Sequence, residues 1–191
     1  MLSRYLYSLG AMVMLSKWWR PTNPDDVEPI PWLHPACVAY LDILIQPDWR
    51  ILEHGCGGST LWFAKRAREV IAHEHNNDWL LKLSKLVGDT VSLRRDKPSG
   101  HDLEQASFDL ILIDGARENR AAWCMQAPDL IKPGGIIVFD NPNRPDHNYP
   151  MARQYLKASA KHFITFDVNP PGHSYAVTDF YRMPGGKAEW I

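Results

Sequence analysis

The chain has 191 residues, 45% of them apolar, which is enough for one well-buried core and short for two. A formal net charge of −1 supplies no electrostatic footprint for a nucleic-acid partner. Three scattered cysteines, Cys37, Cys56 and Cys124, form neither a CxxC pair nor a regular framework, so a disulfide scaffold is excluded and reduced thiols in a cytoplasmic compartment are expected.

Residues 1–34 form an extension ahead of the folded unit at 35–191. "MLSRYLYSLGAMVMLSKWWR" carries Arg4, Lys17 and Arg20 and no acidic residue, and its uncharged run is too short to span a bilayer. "SKWWRP" supplies no small-residue cleavage site for a secretory signal. Leu2, Tyr5, Leu6, Leu9, Met12 and Val13 share one helical face, which predicts an amphipathic helix. That helix packs on the domain, forms a homodimer contact, or lies peripherally on a membrane through Trp18 and Trp19 beside Lys17 and Arg20; a disordered tail or a misread signal are the other readings. Residues 21–35, with five prolines, predict an extended linker. Within it, Trp32 and His34 are candidates for a lid or for aromatics that dock the linker on the core.

"ACVAYLDILI" has helical character, and beyond Arg50 the chain alternates strand with helix. Strands are predicted at "RILEHG", "EVIAHEH", "TVSLRR", "FDLILIDG" and "GGIIVFDN", with helices over Ser59 to Arg68, Asn77 to Val87 and Glu118 to Ile131. Pro150 to Lys161 predicts a further helix, "HFITFDV" a sixth strand and "SYAVTDFYR" a seventh. Apolar runs such as "LILI" and "IIVF" lack alternation, as strands buried on both faces of a parallel sheet do. The pattern predicts a single-domain, doubly wound α/β fold.

"ILEHGCGGST" places a glycine turn between the first strand and the following helix, where an open parallel sheet holds its ligand. Gly55 and Gly57 occupy the first two positions of a dinucleotide fingerprint, but Thr60 stands in the third. Glu53 lies two residues before the first glycine and would repel a pyrophosphate. Glu74, at the end of the second strand, is placed to accept both hydroxyls of a ribose. The alternative is a tight turn with two solvated carboxylates. Cys56 reads as a small residue that fits the turn, since no neighbouring base marks it as a nucleophile.

"ILEHGCGGSTLWFAKRAREVIAHEHNNDW" resembles motif I and the acidic second strand of class I, Rossmann-like S-adenosylmethionine-dependent methyltransferases, in the branch with an E-x-G-x-G-x-S-T turn. "FDLILIDGARENRAAWCMQAPDLIKPGGIIVFDN" is similar to that family's fourth and fifth strands. The resemblance spans about residues 35 to 182 and implies a seven-stranded sheet with a reversed last strand and S-adenosylmethionine over the ends of the first two. It implies a cofactor set of Glu53, His54, Gly55, Cys56, Gly57, Ser59, Glu74, His75, Asp96 and Asp114. In this set Glu53, Gly55 and Gly57 line the methionine and ribose part, Glu74 holds the ribose hydroxyls, His75 lies beside the adenine, and Asp96 reaches its amino group.

Asp114, Asp140 and Asn141 match the positions that bind a divalent ion in metal-dependent catechol and caffeoyl-coenzyme A O-methyltransferases, so Mg²⁺ assistance is one expectation. The chain departs from those families at "DGARENR", with Ala116 for the second acid, Arg117 for the lysine and Arg120 for the tyrosine. Arg117, paired with Asp114 as the catalytic candidates, is a poor general base and suits an anionic acceptor instead. A metal-free enzyme using the same acids to orient its substrate, and purely structural roles for them, stay open. His147 and His173 are loop histidines, each a base or a solvated side chain. The implied activity is methyl transfer, O-methylation of a small hydroxylated or sugar-containing acceptor. The alternatives are a non-catalytic interaction module of the same fold and a nucleotide-cofactor (NAD-type) oxidoreductase.

Overall fold

The computed structural model describes residues 27–96, 103–145, 147–167 and 177–186. The helix expected over residues 1–20, His173 and the start of the expected seventh strand lie outside them. Helix α1, Pro35–Leu44, begins where the proline run ends: Pro35 occupies its first turn and the His34 side chain accepts from the Ala36 N–H. Strand β1, Arg50–His54, leads to α2, Gly58–Ala64; β2, Glu69–Glu74, leads to α3, Asn77–Ser84, and β3 is Val91–Arg95. Then come β4, Phe108–Ile113, α4, Arg117–Leu130, β5, Ile131–Asp140, α5, Tyr149–Ser159, β6, His162–Phe166, and β7, Thr178–Arg182.

These strands make one seven-stranded sheet in the order β3-β2-β1-β4-β5-β7-β6. Strands β1 to β5 pair in parallel, and β7 runs antiparallel between β5 and β6. The predicted doubly wound α/β fold with a reversed last strand is therefore present. Successive side chains alternate between two apolar layers. Ile51, Val70, Leu110 and Val138 pack toward α1, while Leu52, Ile71, Ile111 and Ile137 face Trp123, Cys124 and Ala127 of α4. Strand order reverses between β1 and β4, opening a crevice at their carboxyl ends.

Two differences from expectation have local causes. Strand β5 starts at Ile131 rather than Gly134, because Phe108 pairs with Ile131 before a register shift at Leu110. Helix α2 ends at Ala64 rather than Arg68, and the N–H groups of Arg66 and Ala67 close a tight turn on the Phe63 carbonyl. No helix among the described residues is long and apolar enough to cross a membrane.

Candidate active site

The site starts at Gly55, whose φ of +92° lies where L side chains are strained. A Cβ there would stand 2.7 Å from the Asp114 carbonyl oxygen and from the Gly115 backbone, so the turns after β1 and β4 meet only across a glycine. Gly57 differs: its backbone is extended, and a Cβ on it would meet only the Trp79 ring, at 4.0 Å. That glycine keeps space open. The Gly57 N–H donates to Thr60 Oγ1 at 2.8 Å, which fixes the entry into α2.

Glu53 lies beneath the turn and is fully buried. It accepts hydrogen bonds from Ser59 Oγ and, at 2.6 Å, from Thr60 Oγ1. Burial pushes its carboxyl up to about 8; the two hydroxyls oppose the shift, and the charges of Asp114 and Glu74 add to it. Glu74 ends β2 with its carboxylate 2.8 Å from His75 Nδ1, accepting from the Asn76 N–H at 2.8 Å and the Cys56 N–H at 3.4 Å. Asn76 caps α3 by accepting from the N–H groups of Asp78 and Trp79. Trp79 Nε1 in turn donates to the Cys56 carbonyl at 2.6 Å, so the indole is held against the turn.

Above these residues lies a cavity of about 440 Å³, within the roughly 300–1,000 Å³ usual for small-molecule sites. Gly55, Cys56, Gly57, Ser59, Glu74, His75 and Asp114 border it, together with Gly115 and Trp79. Its other wall is the segment ahead of α1, through Val27, Glu28, Ile30 and Trp32. A Cβ on Gly58 would run into the carbonyls of Glu28 and Ile30, so this strap is pressed onto the start of α2. His34 is the docking residue of the strap: it is buried, and its N–H donates to Thr178 Oγ1 at 3.0 Å. Trp32 is 79% exposed and free to meet a ligand at the cavity mouth.

Asp114 and Asp140 hydrogen-bond to each other behind the cavity, and burial raises both carboxyls above the usual range. Arg120 is buried against them. Its Nη2 lies 2.7 Å from Asp114 Oδ1 and donates to the Asp114 carbonyl at 2.9 Å, Nη1 donates to the Asp140 carbonyl at 2.9 Å, and Nε donates to the Gly115 carbonyl at 2.8 Å. Thr178 Oγ1 donates to Asp140 Oδ1 at 3.0 Å, and Asn141 Oδ1 accepts from Arg144 Nη2 at 2.8 Å. A guanidinium thus stands where the oxygens of Asp114 and Asp140 converge, and the Asn141 oxygen is turned to a second arginine. The three residues in this arrangement do not fit a hard divalent ion, which needs those lone pairs itself.

Of the other sequence candidates, Glu53 supports the cavity from below, whereas His54 and Asp96 lie outside its lining. Arg117 is exposed at the start of α4, and its carbonyl accepts from the Tyr149 hydroxyl at 3.0 Å. His147 is exposed. Burial pushes the Cys56 thiol up, so it stays protonated. Sequence reasoning missed Trp79, the role of Arg120 between the two acids, and the place of the strap against the start of α2. For the strap the proline spacing marks an extended segment but not where it lies, and for Trp79 a helix-start tryptophan carries no mark of its bond to Cys56.

Among solved structures the chain is similar to the tRNA (m1A58) methyltransferase TrmI from Aquifex aeolicus, at 15% identity and a TM-score of 0.64, over 92% of this chain and 76% of that one. It is also similar to a Klebsiella pneumoniae protein assigned as an O-methyltransferase (18%, TM-score 0.63, 96% and 100%). A third is the O-methyltransferase TomG from Streptomyces achromogenes, in complex with S-adenosylmethionine (19%, TM-score 0.59, 78% of each). No protein-family model and no curated protein sequence matches the chain. The fold is that of class I S-adenosylmethionine-dependent methyltransferases.

Proposed function

We propose that this protein transfers a methyl group from S-adenosylmethionine to a hydroxyl of a small acceptor. The observation that carries the reading is the position of Glu74: a carboxylate on the floor of a 440 Å³ cavity that straddles the ends of β1, β2 and β4, facing the space that Gly57 leaves open. Its oxygens suit ribose hydroxyls, and Thr60 in place of the third fingerprint glycine favours an adenosyl ligand over a dinucleotide. Gly55, Cys56, Gly57 and Ser59 give that ligand close backbone approach, and His75 and Trp79 offer rings at its edge.

The sulfonium supplies an already electrophilic methyl, so the protein's work is alignment and proton removal. Asp114 is the residue best placed for the second task. It borders the cavity, keeps 28% of its side chain exposed, and has a carboxyl raised by burial, which makes it a stronger base than an ordinary aspartate. The balanced transfer forms the bond from acceptor oxygen to methyl carbon, breaks the carbon–sulfur bond and leaves the hydroxyl proton on Asp114. Trp32 and the strap shape the acceptor side, and the charge balance favours a small acceptor over nucleic acid.

Calorimetric titration with S-adenosylmethionine, S-adenosylhomocysteine and NAD tests the reading. Micromolar binding of the adenosyl ligands is expected, with no binding of NAD. Glu74→Ala removes up to two charge-assisted hydrogen bonds of about 1.5–3 kcal/mol each, so affinity falls at least tenfold. A wild-type protein that binds neither adenosyl ligand would overturn the assignment.

A further inference from the structure

The layer of side chains between the sheet and α4 is aliphatic along most of its length, with Leu52, Ile71, Ile111 and Ile113 in it. At its carboxyl end the character changes. His54, the last residue of β1, and His73, one before the end of β2, are register partners that follow Leu52 and Ile71 on the same face. Both are buried, and their rings lie 5.3 Å apart at 54°. Asp96 follows β3, its N–H donating to the Glu74 carbonyl at 2.8 Å, and its carboxylate turns toward the pair. One donor atom from each of the three lies within 4.8 Å of the others.

We infer that His54, His73 and Asp96 form a binding site for a divalent transition-metal ion, zinc being the best match. Two imidazole nitrogens and one carboxylate oxygen are the donors that borderline ions select; magnesium and calcium prefer oxygen alone. Donors around a tetrahedral zinc at about 2.0–2.2 Å stand roughly 3.3–3.5 Å apart, so small side-chain rotations close the cluster. The Trp123 ring stacks on His54 at 4.3 Å and 10°, an apolar wall of the kind that limits solvent access around metal centres. Asp96 is partly exposed, which leaves a coordination position open to water.

The site would also have structural consequences. It joins the ends of three neighbouring strands, one residue before Gly55 and one before Glu74. Among the described residues no helix lies between β3 and β4, so a cross-link here would replace the covering that α4 gives the layer further along. The ion would hold the cofactor-side turns in place from beneath, without touching the cavity, and the inference stands apart from the methyltransferase reading.

The test uses the full chain, stripped with a chelator and titrated with Co²⁺ and then Zn²⁺. Visible d–d absorption that saturates at one equivalent of Co²⁺, bleaches on Zn²⁺ addition and comes with a rise in melting temperature is expected. Asp96→Asn and His73→Gln should each weaken binding by more than the roughly 10–100-fold that outer-shell changes cost. Circular dichroism establishes that they are folded, and Asp96→Asn, at a partly exposed position, remains decisive if the buried variant unfolds. No Co²⁺ spectrum in the wild type, or equal affinity in the folded variants, would overturn the site. S-adenosylhomocysteine titrated into the metal-free protein separates this result from the fate of the proposed activity.

Discussion

Replacing Glu53 with glutamine isolates the cost of keeping a carboxyl under the glycine turn. The unfolded chain titrates this group near about 4.3, whereas burial moves it to about 8 in the folded protein. Between those values the native state holds a proton that the unfolded state has released. Its stabilisation is full below the lower value and is lost as pH rises through the upper one. At about 1.4 kcal/mol per pH unit the ceiling is roughly 5 kcal/mol across the interval. Asp114 and Asp140 are raised as well, so the wild type and the variant share a downward trend from those two. Glutamine keeps a carbonyl for one of the hydroxyls of Ser59 and Thr60 and has no proton to lose. Denaturant unfolding from pH 5 to pH 9 should therefore show the two proteins diverging upward in pH, with Glu53→Gln the more stable by a few kcal/mol at the alkaline end. Parallel curves would refute the reasoning, because they would mean that Glu53 titrates alike in the folded and unfolded chains.

Three further outcomes follow from the same geometry. Gly55→Ala puts a Cβ at φ +92° and 2.7 Å from the Asp114 carbonyl, so a loss of roughly 2–5 kcal/mol in unfolding free energy is expected, read as a lowered melting temperature. Arg120→Ala leaves buried Asp140, partly exposed Asp114 and several carbonyl groups without their guanidinium, a loss of about 3–5 kcal/mol by the same measurement. Arg120→Lys restores only a minor part, because an ammonium cannot serve both strand ends with a planar fork. Cys37, Cys56 and Cys124 are buried and their thiols are pushed up, so a thiol reagent at neutral pH should label the native protein slowly and all three sites once it is denatured.

The fold was legible because its signals are local and repeated. Unalternating runs such as Phe108–Ile113 sit in mid-sheet with both faces covered, and the glycine turn after β1 and the proline run before α1 fall at element boundaries, whereas the Pro133–Gly134 break expected before the fifth strand lies inside β5. The floor of the cavity was legible for the same reason: Gly55 and Glu74 are each one step past, or at the end of, a strand, where α/β topology places ligands. The strap was only half legible. Prolines forbid a helix over residues 27–34, but the contact of Glu28 and Ile30 with Gly58 joins segments about 30 residues apart and has no periodicity to announce it. In the same stretch, His34 docks while Trp32 stays exposed, a division that depends on where Thr178 lies.

Arg120 shows why motif matching reaches its limit at the acids. Asp114, Asp140 and Asn141 stand at the positions where a divalent ion would be expected, and by residue type alone they are indistinguishable from a metal cage. The deciding residue is six positions beyond Asp114, about one turn into α4, where its guanidinium points back at both strand ends. It supplies the positive charge that lets two carboxyls approach within hydrogen-bonding distance, and it leaves Asp114, not Asp140, in contact with the cavity. The pair is thereby divided into a buried anchor held by Thr178 and a partly exposed acid next to the space for a substrate. On the proposed reading, an internal arginine in this position makes a hydroxyl's proton, rather than its coordination to an ion, the group that Asp114 handles. Arg120→Lys should then lower turnover more than it lowers adenosyl-ligand affinity, since Arg120 bonds to Asp114 and none of its contacts reaches Glu74.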